Sequence, residues 1–221
     1  MKKPLPFALA LMVFASLGAA FAQSASEVVA KVQATQKSLK DVSFKVSGTA
    51  TLDAGAQKLD FDVQAIPSQN VARINFNAPD ALADNVVVVD NKKVRNYLYL
   101  TNQITEQDAA RSASAGGFDF DFSQLADATT LLTSRYDVKL LETQTQNGTK
   151  VYLLEGTSKN GATERQRLWI TEQGWRPVRS QVLNGAGKVI SDLNITNYKT
   201  NSGLTAARLR ALPKDAEVIR R

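Results

Sequence analysis

The sequence predicts a mainly β protein with a helical lid (α+β), a half-open antiparallel β-barrel of about 10–11 strands. Three observations predict it. Apolar and polar residues alternate with a period of two from Val42 onward. Three Asn-Gly pairs (Asn147-Gly148, Asn160-Gly161 and Asn184-Gly185) separate apolar runs, the strongest short-range hairpin signal. Two stretches carry helical spacing instead, one ahead of the strands and one between two strand series. A large sheet with one apolar face has to curl around something, and two amphipathic helices suit its concave side.

Taken in order, the first helix is expected over residues 24–40. Ser24-x-x-Glu27 fits a capping box, and Val28, Val32, Thr35 and Leu39 follow at helical spacing. Val42, Phe44, Val46, Gly48, Ala50 and Leu52 then alternate with polar residues. Asp53-Ala-Gly-Ala56 is a turn, and Leu59, Phe61, Val63 and Ala65 alternate in their turn with Asp60, Asp62 and Gln64. Pro67 ends this second strand. Ala72, Ile74 and Phe76 mark a third, closed by Pro79. Asn85–Asp90 carries four valines and reads as covered on both faces. Val94–Leu100 is the fifth strand, with Tyr97 and Tyr99 on one of its faces.

Residues 102–121 are rich in Ala, Ser, Gly and Asp, a long connection of the lid or disordered type. They lead through Phe118, Phe120 and Phe122 into a short helix, expected over Ser123–Ser134, with Leu125, Leu131 and Leu132 apolar. The second series comprises Tyr136–Thr143, Lys150–Ser158, Thr163–Thr171, Arg176–Leu183 and Lys188–Thr200. A last strand is expected within Leu204–Leu212, before Pro213.

The 221 residues divide into an expected signal peptide, 1–22, and one domain, 23–221. Lys2 and Lys3 precede an apolar run that closes with Ala20-Phe21-Ala22. Cleavage after Ala22 removes both methionines, and the chain has no Cys and no His. A Ser-His-Asp triad, an imidazole or thiolate metal site, a disulfide framework and a lipid-accepting Cys are therefore excluded. Loss of Lys2 and Lys3 lowers the formal net charge of +6 by two. The basic residues are spread out, the tightest groups being Lys92-Lys93-x-Arg95 and Arg208-x-Arg210, with Arg220-Arg221 at the end. The pattern does not point to nucleic acid, although weak attraction to an anionic membrane stays open.

Catalytic candidates are thin, and none is assigned. Asp60 with Asp62, and Asp119 with Asp121, have the i, i+2 spacing that places two carboxylates on one strand face. Asp60 and Asp62 alternate with apolar residues, which is the pattern of a solvated strand face. No metal or cofactor is expected. The apolar excess says more. Phe44, Val46, Phe61, Val63, Ile74, Phe76, Tyr97, Tyr99, Leu153 and Trp169 either pack on the helices or line a cavity for acyl chains. Each buried CH₂ contributes about 0.8 kcal/mol, so a sheltering barrel holds a long chain without a polar site. Phe118, Phe120, Phe122, Leu125, Leu131 and Leu132 are the lid candidates.

In this order, several local stretches resemble the LolA-type lipoprotein carriers and the wider lipoprotein-sorting superfamily with its RseB-like and LppX-like members. They are Val28–Leu39 with Asp41-Val-Ser-Phe-Lys-Val46, Ala72–Pro79 with Asn85–Asn91, Trp175–Arg179, Asn184–Lys188, Leu193–Lys199 and Leu209–Val218. The resemblance implies a half-open barrel with a helical lid that shields the acyl chains of a lipoprotein or lipid. It further implies a soluble monomer in the periplasm, in transient contact with the membrane and with envelope donor and acceptor proteins. The chain departs from the carriers at Ala65-Ile66-Pro67, where they have Arg before Pro, and at Ile74 and Phe76, where they have Trp. Cargo therefore stays open between lipoprotein and lipid. An RseB-type sensing module is the alternative reading, favoured less because such regulators usually carry a further C-terminal domain.

Overall fold

The computed structural model describes residues 23–52, 55–91, 93–108 and 134–220. The first helix, α1, spans Ala25–Ser38. Its capping box forms as the sequence predicts: the Glu27 N–H donates to Ser24 Oγ at 3.3 Å, and the Ser24 N–H donates to Glu27 Oε2 at 2.7 Å. Two orphan donors of the first turn are thereby satisfied.

Twelve strands follow in one sheet among the described residues. They are β1 Val42–Leu52, β2 Gly55–Ile66, β3 Val71–Ala78, β4 Val86–Asp90, β5 Lys93–Leu98, β6 Gln103–Asp108, β7 Tyr136–Gln146, β8 Thr149–Ser158, β9 Arg165–Thr171, β10 Arg176–Leu183, β11 Val189–Thr200 and β12 Glu217–Arg220. A second helix, α2, spans Ala206–Arg210. The sheet order is β12-β6-β5-β4-β3-β2-β1-β11-β10-β9-β8-β7, so β1–β11 is the seam joining two meanders. The sheet is open, with β12 and β7 at its two ends.

Three expectations need correction. Residues 103–108, read as the start of a long connection, form β6, paired with β5 from Leu98↔Gln103 to Lys93↔Asp108. Alternation there (Gln-Ile-Thr-Glu-Gln-Asp) leaves Ile104 as its one apolar side chain, too little to signal a strand. The stretch 204–212 holds α2, and the last strand comes later, as β12. That strand runs parallel to β6 in an otherwise antiparallel sheet, from Glu217↔Gln103 to Arg220↔Glu106. The fifth strand ends at Leu98, which leaves Tyr99 and Leu100 in an exposed turn at 55% and 83%. The expected helix over Ser123–Ser134 and all six lid candidates fall in 109–133 or touch it, outside the described residues. So does the expected signal peptide.

Turn chemistry follows the sequence closely. Asn147 and Gly148 both take positive φ (49° and 76°), the type that lets a two-residue turn match strand twist. β4 is buried on both faces, with Val86, Val87, Val88 and Val89 all at 9% exposure or less.

Candidate functional site

The pairing register decides which side chains share a face. Gly48 sits opposite Leu193, Leu193 opposite Ser180, Ser180 opposite Leu168, and Leu168 opposite Leu154. Directly opposed residues point the same way, so one face runs unbroken from β1 to β8. On its β7–β9 half lie Tyr152, Leu154, Leu168 and Ile170, under Val28, Val29 and Val32 of α1. On its β1–β5 half lies the larger cluster. Val46, Phe61 and Phe76 form one row, and Val63, Ile74 and Val87 form the next. Among the described residues, Leu39 and Leu82 are the only members of that cluster outside the strands.

Six of the ten predicted cavity residues (Phe44, Val46, Phe61, Val63, Ile74 and Phe76) occupy this α1 face. The rings of Phe61 and Phe76 meet at 5.6 Å, and Phe44 stacks on Tyr198 at 5.6 Å. Burial pushes the Tyr198 phenol up, with Arg176 opposing, its guanidinium 4.9 Å from the ring centroid.

The other four do not join them. Tyr97 pairs with Val86, and the row continues through Asn75 and Asp62 to Lys45, on the opposite face. There Tyr97 packs with Val88 and Ile104 beneath Leu212 and Ala216. Leu153 sits opposite Trp169, Trp169 opposite Arg179, and Arg179 opposite Asn194, again on the opposite face. Tyr99 lies beyond the strand in the exposed turn.

That opposite face is polar over most of its area and held by cross-strand pairs. Arg179 makes a bidentate pair with Asp192 (2.8 and 2.6 Å), and its guanidinium also lies over the Trp169 ring at 4.7 Å. Arg167 reaches Glu155 at 2.8 Å. Lys45 reaches Asp60 at 2.8 Å, and the Asn77 amide donates to both Asp60 (2.8 Å) and Asp62 (3.0 Å). The carboxylate pair considered for catalysis is thus engaged in the sheet's own ladder. Among the described residues, no group of three or more acidic, His or Cys side chains gathers. A groove of about 520 Å³ opens beside the β1–β11 bulge, and Lys45, Asp62, Asn75 and Lys199 are among its lining. Two members of the basic patch are engaged as well. Lys93 binds Glu106 at 2.6 Å, and Arg95 donates to the Arg210 carbonyl at 3.3 Å.

Two anchors were invisible to pattern reasoning. Arg73 donates to the carbonyls of Leu209 and Ala211, and Arg210 makes a bidentate pair with Asp90 at 2.8 and 2.9 Å. A helix end with free carbonyls is thereby tied to β3 and β4 by cations. The Arg210 hydrogen bonds hold the Asp90 carboxyl below its ordinary range. Asp41, 4% exposed, accepts from the Ser202 N–H and Oγ (both 2.8 Å), the Gly203 N–H (2.9 Å) and the Leu204 N–H (3.3 Å). It fixes the start of β1 to the segment that leads into α2. The signal for Asp41, an acidic residue between helix and strand, was present but shared with any N-terminal turn.

Comparison with known proteins agrees with this geometry. A crystal structure of an uncharacterized conserved protein from Thermus thermophilus superposes with a TM-score of 0.67 at 27% identity, covering 89% of this chain and 99% of that one. A DUF1329 family protein from Desulfovibrio piger gives 0.51 at 13% identity, covering 83% and 94%. MucB, in its complex with MucA from Pseudomonas aeruginosa, gives 0.51 at 15% identity, covering 85% of this chain and 60% of MucB. The fold is therefore shared with MucB. An uncharacterized protein of Methanocaldococcus jannaschii is 21% identical over 216 residues, and the chain spans 58% of that relative's length. The chain belongs to the family described as "-like: Uncharacterized protein", whose model matches residues 69–214.

Proposed function

We propose that the protein is an exported carrier that shelters acyl chains of a lipoprotein or lipid on the α1 face of its open sheet and delivers them across the periplasm. One observation carries the reading. The apolar face is continuous across both meanders, and among the described residues α1 packs on its β7–β9 half. The β1–β5 half is the place for a chain, with Phe44, Val46, Phe61, Val63, Ile74 and Phe76 as its wall. Burial of apolar area supplies most of the affinity, at about 25 cal/mol per Å². Residues 1–22 would be removed on export, and Phe118, Phe120, Phe122, Leu125, Leu131 and Leu132 would form the lid.

Native mass spectrometry of the mature protein purified from its own envelope, with lipid extraction after denaturation, tests this. A stoichiometric lipid or lipoprotein is expected. A clean ligand-free mass, with no uptake of a triacylated peptide, overturns it.

A second reading is a regulatory module of the RseB type. MucB, which shares the fold over 60% of its length, is seen in complex with MucA. The support is at the level of fold. Co-purification of one stoichiometric membrane-protein partner, in place of lipid, would favour this reading over the carrier.

A further inference from the structure

We propose that Tyr152 is the polar end of the apolar face: its hydroxyl donates to the carbonyl of an acyl ester or amide, and α1 is the cover that moves to admit it. The inference rests on the acyl-binding reading and concerns the chemistry of the same face.

Tyr152 is 1% exposed and lies on the α1 face, opposite Ile170 and packed with Val28, Val29 and Val32 of α1. Its hydroxyl has no hydrogen-bond partner among the described residues. A buried hydroxyl left unpaired is costly, and phenylalanine would fill the same volume without that cost. The ring is also fixed in place. It stacks on Trp175 at 5.6 Å and 15°, and Lys31 Nζ of α1 lies 4.3 Å from the centroid of that indole. Trp175 has φ of 43°, a left-handed conformation that a bulky residue rarely adopts. The β9–β10 turn is thus bent so that the indole meets the phenol on one side and α1 on the other.

The consequence is a hydroxyl held still beneath a cover of modest grip. Among the described residues, α1 packs on this end of the sheet through Val28, Val29 and Val32, with Ala25 beside them and Lys31 over the Trp175 ring. Moving α1 uncovers the hydroxyl with the apolar face running away from it. The acceptor class follows from the field at the ring. Burial, and then the nearby Glu172 carboxylate, push the phenol's pKa up, and the same carboxylate repels an anionic head group. A neutral carbonyl at the head of a long chain fits, with its alkyl part directed toward the Val46–Phe61–Phe76 row.

Tryptophan fluorescence of the mature protein, titrated with dipalmitoylglycerol and with its dihexadecyl ether analogue, tests this in wild type and Tyr152→Phe. Wild type is expected to bind the ester about fivefold to tenfold more tightly, the scale of one neutral hydrogen bond. Tyr152→Phe should bind both lipids equally, at the ether's affinity, and melt at the same temperature or higher. An unchanged ester preference in the variant overturns the proposal, as does no preference in wild type when both lipids bind. Failure of both lipids to bind wild type overturns the acyl-binding reading, and this inference falls with it.

Discussion

Asp41 shows how one side chain closes the fold. Burial alone would raise its pKa, and the hydrogen bonds from Ser202, Gly203 and Leu204 more than offset that, leaving the carboxyl below its ordinary value. A group whose folded pKa lies below the unfolded one stabilises fully above the unfolded value, about 3.9 for Asp. That stability is lost as pH falls through the folded pKa. Asp41→Asn keeps the volume but turns an NH₂ toward backbone N–H donors. It should cost about 2–3 kcal/mol near pH 7, the scale of hydrogen bonds to a charged group. Urea unfolding of both proteins from pH 7 to pH 2 checks this, and the gap between them should narrow as the wild-type carboxyl protonates. A gap that stays constant with pH would mean that Asp41 acts through shape and not charge.

Among the elements, the β1–β11 seam carries the most consequence, because it is where the two meanders meet. Gly48 lies opposite Leu193, and a Cβ there would come within 2.0 Å of the Asp192 carbonyl oxygen. The strands approach closely because Gly48 has no side chain. Gly48→Ala must push β11 away and should destabilise by about 1–3 kcal/mol, as overpacking does. Hydrogen exchange would locate the damage in β1 and β11 while β7–β8 stays protected. Uniform loss across the sheet would argue against a local clash. Most of these elements were legible in the sequence. Ser24-x-x-Glu27 gives the start of α1, and Asn147-Gly148 gives the β7–β8 hairpin. β12 was not legible, because four residues gain strand form only by pairing with β6, more than a hundred residues earlier in the chain. α2 was missed for a related reason. Five residues cannot sustain a helix alone, and Arg73 and Arg95 on the sheet complete this one.

For the whole molecule, what matters is the side of the sheet on which a residue falls. Alternation within a strand divides its residues into two sets without saying which set faces α1. Val151-Tyr-Leu-Leu154 is apolar in both sets, so Leu153 and Trp169 looked as suitable for a cavity as Tyr152 and Leu154. The bulges at Asn197 in β11 and Leu141 in β7 each insert a residue, so parity cannot be carried across the sheet by counting. Asn197 takes φ of 53° at its bulge, a conformation Asn tolerates better than most residues. Two half-buried aromatics on opposite faces therefore make a matched test of the carrier reading. Phe44 stacks on Tyr198 on the α1 face, and Trp169 stacks under Arg179 on the other. Phe44→Ala and Trp169→Ala each remove a large ring at similar depth, so both variants should fold with a moderate loss of stability. If acyl chains lie on the α1 face, Phe44→Ala should weaken uptake of a triacylated peptide by about fivefold to thirtyfold, the worth of roughly 1–2 kcal/mol of lost apolar contact. Trp169→Ala should bind the peptide as wild type does. Equal losses in both would trace the effect to stability, and a loss confined to Trp169→Ala would move the binding surface to the polar face, where burial of a hydrocarbon chain has no apolar wall to rest on.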